Sequence, residues 1–362
     1  MKVAVDGRSL RDGAGERGVA RYLRSLLHEL ATAFPEDQYG VLVPGQPSAA
    51  WSPAENVTVR GTRLPGRPTY AAGALVGRPR VDRLAGGSEV AWVPAVAPVA
   101  VSRDVPFVLT VHDLSFEHRA RDFSPYERAW HRVARPRALA RRAARVIAVS
   151  DVVRSELLAE WGLPPAKVVA VRSGPGSPRL EPGPAPAGLP EPFLLVVGAL
   201  ESRKRPDLVV EAHALARRRG LRSGLVFAGD GPLREAVARS GATVLGRVGD
   251  RVLEALYRQA LAVVCPSREE GFGFTPLEAM ARGTPAVVSA LPVFLETLGD
   301  AALRVPPDDP ASLADALLRL ERDEQLRGRL AAAGAGAARA LSWERAARQT
   351  REVLAEARGK GT

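Results

Sequence analysis

The sequence predicts an α/β protein of two doubly wound domains, each a parallel sheet with helices on its faces. Three observations carry this. The chain has 362 residues, more than one domain of common size uses. Short apolar runs alternate with segments of helical periodicity through both halves. Between the halves lies SGPGSPRLEPGPAPAGLPEP, residues 173–192. A stretch so dense in Pro and Gly suits neither a central strand nor a long helix, and it reads as a semi-rigid linker. The expected domains are therefore 1–172 and 193–342.

The first half opens on KVAVD, a short apolar strand, followed by a Gly-rich turn and VARYLRSLLHELATAF. The apolar positions 19, 22, 23, 26, 27 and 30 of that segment share one helical face. PFVLTVHD and RVIAVS are apolar runs that end in polar residues, as buried parallel strands do at their carboxyl ends. After the linker the alternation becomes regular. FLLVVGA, GLVFAGD, ATVLGR, LAVVCPS and TPAVVSA read as strands. PDLVVEAHALARRRG, PLREAVARSG, DRVLEALYRQA and TPLEAMARG read as the helices between them. The last helical pattern is SWERAARQTREVLAEAR, with Ser342 as its N-cap. Ligands of such sheets bind beyond the carboxyl ends of the strands, and two sheets joined by a linker leave a cleft.

Composition narrows the function classes. The net charge is +11, and it is unevenly spread. Residues 1–173 carry 25 Lys and Arg against 17 Asp and Glu; the remainder carries 26 against 23. The densest part, YERAWHRVARPRALARRAARV, holds arginines 128, 132, 135, 137, 141, 142 and 145. Such a field draws phosphates, anionic lipid headgroups or nucleic acid, although a solvated arginine face is the ordinary reading of a charge run. Aromatics make up only 5% of the chain and are not interleaved with the arginines, which argues against a stacking platform for nucleic acid. The lone Cys265 excludes an internal disulfide and fits a reducing compartment. The N-terminal residues lack a leader's apolar segment, and the longest apolar run, VAWVPAVAPVAV, is broken by Pro94 and Pro98. A cytoplasmic protein is expected.

The chemistry concentrates in SREEGFGFTPLEAM, residues 267–280. Thr275, Pro276 and Glu278 match a T-x-x-E capping box, which makes a backbone cap one reading of Glu278. The loop Gly271-Phe272-Gly273-Phe274 allows close backbone approach at a helix start, where unpaired N–H groups and the positive dipole end favour an anion. A carboxylate on that first turn would repel a phosphate, so sugar hydroxyls suit Glu278 and Glu270 better.

Glu270, seven residues, then Glu278 resembles the E-x7-E signature of retaining, family 4-type glycosyltransferases of the GT-B fold, in which two Rossmann-like domains face each other across a cleft. GTPAVVS and AGDGP strengthen the likeness, which extends over nearly the whole chain. The resemblance implies a C-terminal helix, about 343–359, that packs back on the first domain. It implies that Glu278 holds the nucleotide ribose and that Glu270 faces the donor sugar. Backbone N–H groups of Gly271, Phe272, Gly273, Phe274 and Thr275 would bind the donor diphosphate and hydroxyls. The family places an Arg and a Lys after the first strand of the second domain, and Arg203 with Lys204 look like that pair, although Ala199 stands where many members carry the Arg. Lys204 is one of only four lysines. The other reading of RKR is a solvent-facing cluster. Arg247 and Val248 fall on the turn that meets the nucleotide base. In the first domain, TVHDLSFEH resembles the segment whose His, here His112, hydrogen-bonds the transferred sugar, with Asp113 orienting it or the acceptor. A capped core histidine is the bland alternative. Gly18 opens the helix whose N–H groups would approach a phosphate, and Ala20 replaces a second Gly found in many relatives.

No D-x-D pair and no Cys/His cluster occurs, so neither a metal nor another cofactor is expected. The expected partners are a nucleotide-sugar donor and a hydroxyl acceptor, phosphate-bearing or lipid-linked, with peripheral contact at the anionic inner membrane face and no nucleic acid. The resemblance points to bacterial mannosyl-type enzymes of polysaccharide biosynthesis and to GDP-mannose, with UDP-glucose-like donors next. Two rivals stand beside it. One is a GT-B enzyme that is not a transferase, such as an epimerase or phosphorylase. The other is an anionic-surface or nucleic-acid binding module.

Overall fold

All thirteen strands in the described residues pair in parallel, in two sheets. The structure is a computed structural model that describes residues 1–10, 18–45, 54–62, 66–176 and 180–359. The Gly-rich turn before Gly18 and linker positions 177–179 lie outside the described residues. The chain divides into two units. One is Met1–Gly174 with Ser342–Thr362, and the other is Pro175–Leu341.

The first unit holds β1 (Lys2–Asp6), β2 (Gln38–Pro44), β3 (Val57–Thr62), β4 (Val90–Val93), β5 (Phe107–Val111), β6 (Arg145–Ala148) and β7 (Val168–Ala170). Their spatial order is β3-β2-β1-β4-β5-β6-β7. The order reverses between β1 and β4, where Val3 pairs with Val90. All residues of β4 and β5 are buried, which requires helices on both faces and explains why these strands read as continuous apolar runs. The helix Gly18–Ala33 buries Tyr22, Leu23, Leu26, Leu27 and Leu30, the face its periodicity predicts. The C-terminal helix Trp343–Gly359 packs against it and over β5. The Ser342 hydroxyl accepts from the Arg345 N–H at 3.2 Å, the expected N-cap. Buried Asp37 accepts from Arg351 Nε at 2.7 Å and also pairs with the N-terminal ammonium, tying the last helix to the turn after the first.

The second unit holds β8 (Phe193–Val197), β9 (Gly224–Ala228), β10 (Thr243–Gly246), β11 (Ala262–Cys265), β12 (Ala286–Ser289) and β13 (Leu303–Val305), in the order β10-β9-β8-β11-β12-β13. The period-2 alternation of β8 divides its core. Leu194 and Val196 pack with Leu208, Val209, Leu313 and Leu317 from the helices Pro206–Arg218 and Pro310–Arg322. Phe193 and Leu195 pack with Leu253, Leu256 and Tyr257 from the helix Asp250–Gln259. This is the doubly wound arrangement the sequence predicts. One element is shorter than its pattern: of PLREAVARSG only Arg234–Ala238 is helical. Its entry is held by the Leu233 N–H, which donates to the Leu200 carbonyl at 3.0 Å, and Ser240 and Gly241 end it in a turn. Among the described residues, no helix is long and apolar enough to cross a membrane.

Candidate functional site

In the second unit the sheet order reverses between β8 and β11, so the segments that follow these two strands diverge and leave a crevice at their carboxyl ends. After β8 the chain makes a single 3-10 turn, Ser202–Lys204. Arg205 follows in the left-handed region at φ 55° and starts the helix Pro206–Arg218. Its guanidinium is pinned by Asp207, at 3.0 Å, and by Asp308. The turn is stitched to the loop after β11. The Arg268 N–H donates to the Arg203 carbonyl at 3.0 Å, and Arg203 Nη1 donates to the Glu269 carbonyl at 3.4 Å. These bonds bring Lys204 onto Glu270, 66 residues away in sequence, with Nζ donating to Oε1. The Ser267 hydroxyl donates to the same oxygen at 2.8 Å.

The RKR triplet is not the solvent-facing cluster that composition also allowed. The side chains of Arg203, Lys204 and Arg205 are only 18%, 24% and 10% exposed, and each faces a carboxylate. Burial opposes ionisation of Glu270. The Lys204 ammonium and the Arg203 guanidinium, with the hydrogen bonds from Lys204 and Ser267, overcome it and hold the carboxyl below the usual range. Cys265, whose sulfur lies 3.9 Å from Glu270 Oε1, goes the other way: burial, then the neighbouring Glu270 charge, push its thiol up to about 11. It stays a neutral thiol beside the pair.

The E-x7-E segment departs from the capping-box reading. The helix begins at Phe274 and runs to Ala281, Gly273 is its N-cap, and no side chain caps it. Gly273 sits at φ 95°, which turns the chain so that Phe274 is already helical. Thr275 therefore lies inside the first turn and cannot cap, and Glu278 lies one turn deeper. Its carboxylate is drawn to a tertiary partner, the Tyr257 hydroxyl, which donates to Oε2 at 2.7 Å. A Cβ on Gly176 would stand 2.3 Å from Oε1, so this glycine backbone lies directly on the carboxylate, which is buried. Phe272 is buried with its ring 5.1 Å from that of Phe274, and Gly271 precedes it without a side chain. The chain from Gly271 to Thr275 runs from a glycine loop into the first helical turn, which no side chain caps; helix starts of this kind are where anions bind. In Gly273→Ala the new Cβ would meet Phe294 Cε1 at 2.7 Å while keeping a left-handed φ. A loss of about 1–3 kcal/mol of stability is expected in urea unfolding. Unchanged unfolding would contradict the strained-cap account.

Arg247 and Val248 follow β10, at the sheet edge and two strands from β8. Arg247 is exposed, whereas Val248 leans on the core around Phe193 and Leu253. In the first unit, His112 follows β5 and Gly18 opens its helix with an exposed backbone. His112 Nε2 lies 2.8 Å from the Pro94 carbonyl and donates to it, and the Tyr22 ring meets the imidazole edge-on at 4.8 Å. Burial lowers the His112 pKa against the opposing pull of the Pro94 carbonyl and Asp113, so the neutral ring keeps its Nδ1 lone pair. Asp113 accepts from the Ser115 N–H at 3.0 Å, which closes a local turn. His118 pairs with Glu160, and His131 stacks on Phe116.

Sequence reasoning missed Ser267, Tyr257, Arg205 and Asp308. Ser267 sits three residues before Glu270 and was within reach of a local reading. The others are joined to the site only by the packing of separate elements. Among the described residues, no group of three or more His, Cys, Asp or Glu side chains could hold a metal ion.

Residues 184–336 match the family described as Glycosyl transferases group 1, and residues 17–174 match Glycosyltransferase Family 4. The chain is 33% identical over 287 residues to a D-inositol 3-phosphate glycosyltransferase of Actinosynnema mirum, covering 71% of this chain and 67% of that protein. It is 30% identical over 267 residues to O-antigen chain mannosyltransferase B of Escherichia coli, covering 67% and 68%. In fold it is similar to sucrose-phosphate synthase from Thermosynechococcus elongatus, with a TM-score of 0.72, 20% identity and coverage of 97% and 96%. It is also similar to HepE of Anabaena in complex with UDP and glucose, with a TM-score of 0.68, 17% identity and coverage of 98% and 99%.

Proposed function

The chain belongs to glycosyltransferase family 4, with two Rossmann-like units of the GT-B fold, and on that premise we propose that it is a retaining hexosyltransferase that moves mannose from GDP-mannose to a hydroxyl acceptor. The observation that carries the reading is the Lys204–Glu270 pair at the switch point of the second sheet. A diphosphate entering there takes Lys204 and Arg203 as its counter-charges, and Glu270, held by Ser267, turns to the hydroxyls of the donor sugar. The amides of residues 271–275 bind the diphosphate oxygens. Glu278 takes the ribose hydroxyls once the Gly176 segment lifts from it. Arg247 and Val248 meet the base through their backbone, His112 Nδ1 accepts from a hydroxyl of the transferred sugar, and the Gly18 helix start approaches a phosphate.

In the transfer step the bond from the anomeric carbon to the diphosphate oxygen breaks. The acceptor oxygen bonds to that carbon on the same face, and the acceptor proton passes to the departing phosphate. Lys204 and Arg203 stabilise the charge that develops on the leaving group.

Mannose as the sugar is supported by the relative named a mannosyltransferase, and a phosphate-bearing acceptor by the relative named for D-inositol 3-phosphate. The positive charge of the first half favours the same kind of acceptor, lipid-linked ones and peripheral contact with an anionic membrane face included. A panel of nucleotide sugars ranked by thermal shift tests the donor. GDP-mannose is expected to give the largest rise, equivalent to about 2.7 kcal/mol at a hundred times its Kd. A larger rise with UDP-glucose would overturn the mannose assignment. Consumption of donor without any acceptor would favour the epimerase or phosphorylase reading instead.

A further inference from the structure

We propose that Tyr257 is a positioning residue for nucleotide binding: its hydroxyl fixes the Glu278 carboxylate in the orientation that discriminates a ribose from a deoxyribose. The inference rests on the assignment of Glu278 to the ribose made above. Tyr257 belongs to the helix Asp250–Gln259 and is almost wholly buried. It is held on more than one side. Its backbone carbonyl accepts from the Thr284 hydroxyl, and the Arg282 guanidinium lies over its ring, 5.3 Å from the centroid. Arg282 in turn donates from Nη1 to the Glu278 carbonyl at 2.9 Å, so the helix that carries the carboxylate and the ring beside it share one anchor. The phenol is therefore a pre-organised donor, aimed at Oε2 at 2.7 Å before any nucleotide arrives.

This geometry gives the two carboxylate oxygens different tasks. Oε2 is held from within the unit by Tyr257. Oε1 lies on the side covered by Gly176, the first residues of the unit, where only a glycine leaves room. Once Gly176 moves off Oε1, a ribose hydroxyl reaches that oxygen and meets a carboxylate whose Oε2 is held by the phenol. Without the phenol, Oε2 loses the hydrogen bond that orients it and the carboxylate settles in a different orientation, so the contribution of the 2′-hydroxyl to affinity falls.

The test uses GDP and UDP with their 2′-deoxy counterparts, their affinities measured by calorimetry on the full chain. In the unsubstituted protein the ribonucleotide should bind about 10- to 100-fold more tightly than the deoxy form, as for a hydrogen bond to a charged group. Tyr257→Phe should narrow that ratio by about three- to tenfold and leave the affinity for the deoxy nucleotide unchanged. Glu278→Ala should abolish the preference, and adding Tyr257→Phe to it should change the ratio no further. A Tyr257→Phe protein that keeps the full ratio overturns the positioning role and leaves the ribose assignment of Glu278 standing. Equal weakening of both nucleotides marks a structural role only and also overturns it. The absence of any ribose preference in the unsubstituted protein overturns the assignment of Glu278 itself, and the inference with it.

Discussion

Lys204→Ala is expected to slow sugar transfer by about 10²- to 10³-fold, the usual effect of removing one pre-organised group that stabilises developing charge. The ammonium pairs with Glu270 at the end of β8 and has Arg203 as its neighbour. On the proposed reading, negative charge accumulates on the leaving diphosphate as the sugar–phosphate bond breaks, and a partly buried ammonium already held by Glu270 would stabilise it with little reorganisation of water. The change should fall on kcat more than on folding, because the side chain is a quarter exposed and the turn is held by backbone bonds to Arg268 and by Arg205 with its two aspartates. A second signature follows. Without the ammonium, Glu270 loses the partner that most strongly lowers its pKa, and burial raises that pKa. The remaining activity should therefore need a higher pH than in the unsubstituted protein. Steady-state transfer measured across pH reads both effects. A normal rate in Lys204→Ala would refute the phosphate role.

Arg282→Ala is expected to give the largest loss of stability, about 3–5 kcal/mol at neutral pH, as for removing one partner of a buried ion pair. Arg282 Nε donates to Glu254 at 2.6 Å, and the two side chains are 4% and 1% exposed. Truncation leaves Glu254 buried with Arg258, a half-exposed partner at 2.8 Å. It also removes the cation over the Tyr257 ring and the bond to the Glu278 carbonyl. The pH dependence has a definite sign. Burial pushes the Glu254 carboxyl up, but bonds from Arg258 and Arg282 bring it net below its usual value. Its ionised form therefore stabilises the native chain above the ordinary carboxylate pKa of about 4.3, and this is lost as pH falls through the lower native value. In the variant, burial dominates and the native pKa rises, so protonation relieves the unpaired charge. The difference between the two proteins should shrink as pH falls from 8 to 5. Urea unfolding at those pH values measures it, and a constant difference would show that the loss comes from packing alone.

Much of the candidate site was legible because its chemistry is local in sequence. Glu270 and Glu278 lie on one loop–helix segment, and Arg203 and Lys204 lie directly after an unmistakable apolar strand. The capping-box reading of Thr275 and Glu278 fails for a physical reason. Thr275 and Glu278 have the spacing of a cap, but a glycine at positive φ starts the helix earlier and a tyrosine from another helix takes the carboxylate. Local spacing cannot weigh a tertiary partner against a local one. The same limit hid Asp308, which reaches Arg205 from the loop before the helix Pro310–Arg322.

By itself, the sequence determined the two doubly wound sheets, the helical faces and the glycine-rich loop that carries Glu270 and leads to Glu278. Those depend on periodicity and on short spacings that the backbone imposes wherever the chain goes. Which of these residues meet was decided only in three dimensions. The order β10-β9-β8-β11-β12-β13 sets β11 beside β8, and that adjacency joins Lys204 to Glu270 across 66 residues. Burial then selects, among many charged side chains, the few whose partners are close enough to offset the loss of water.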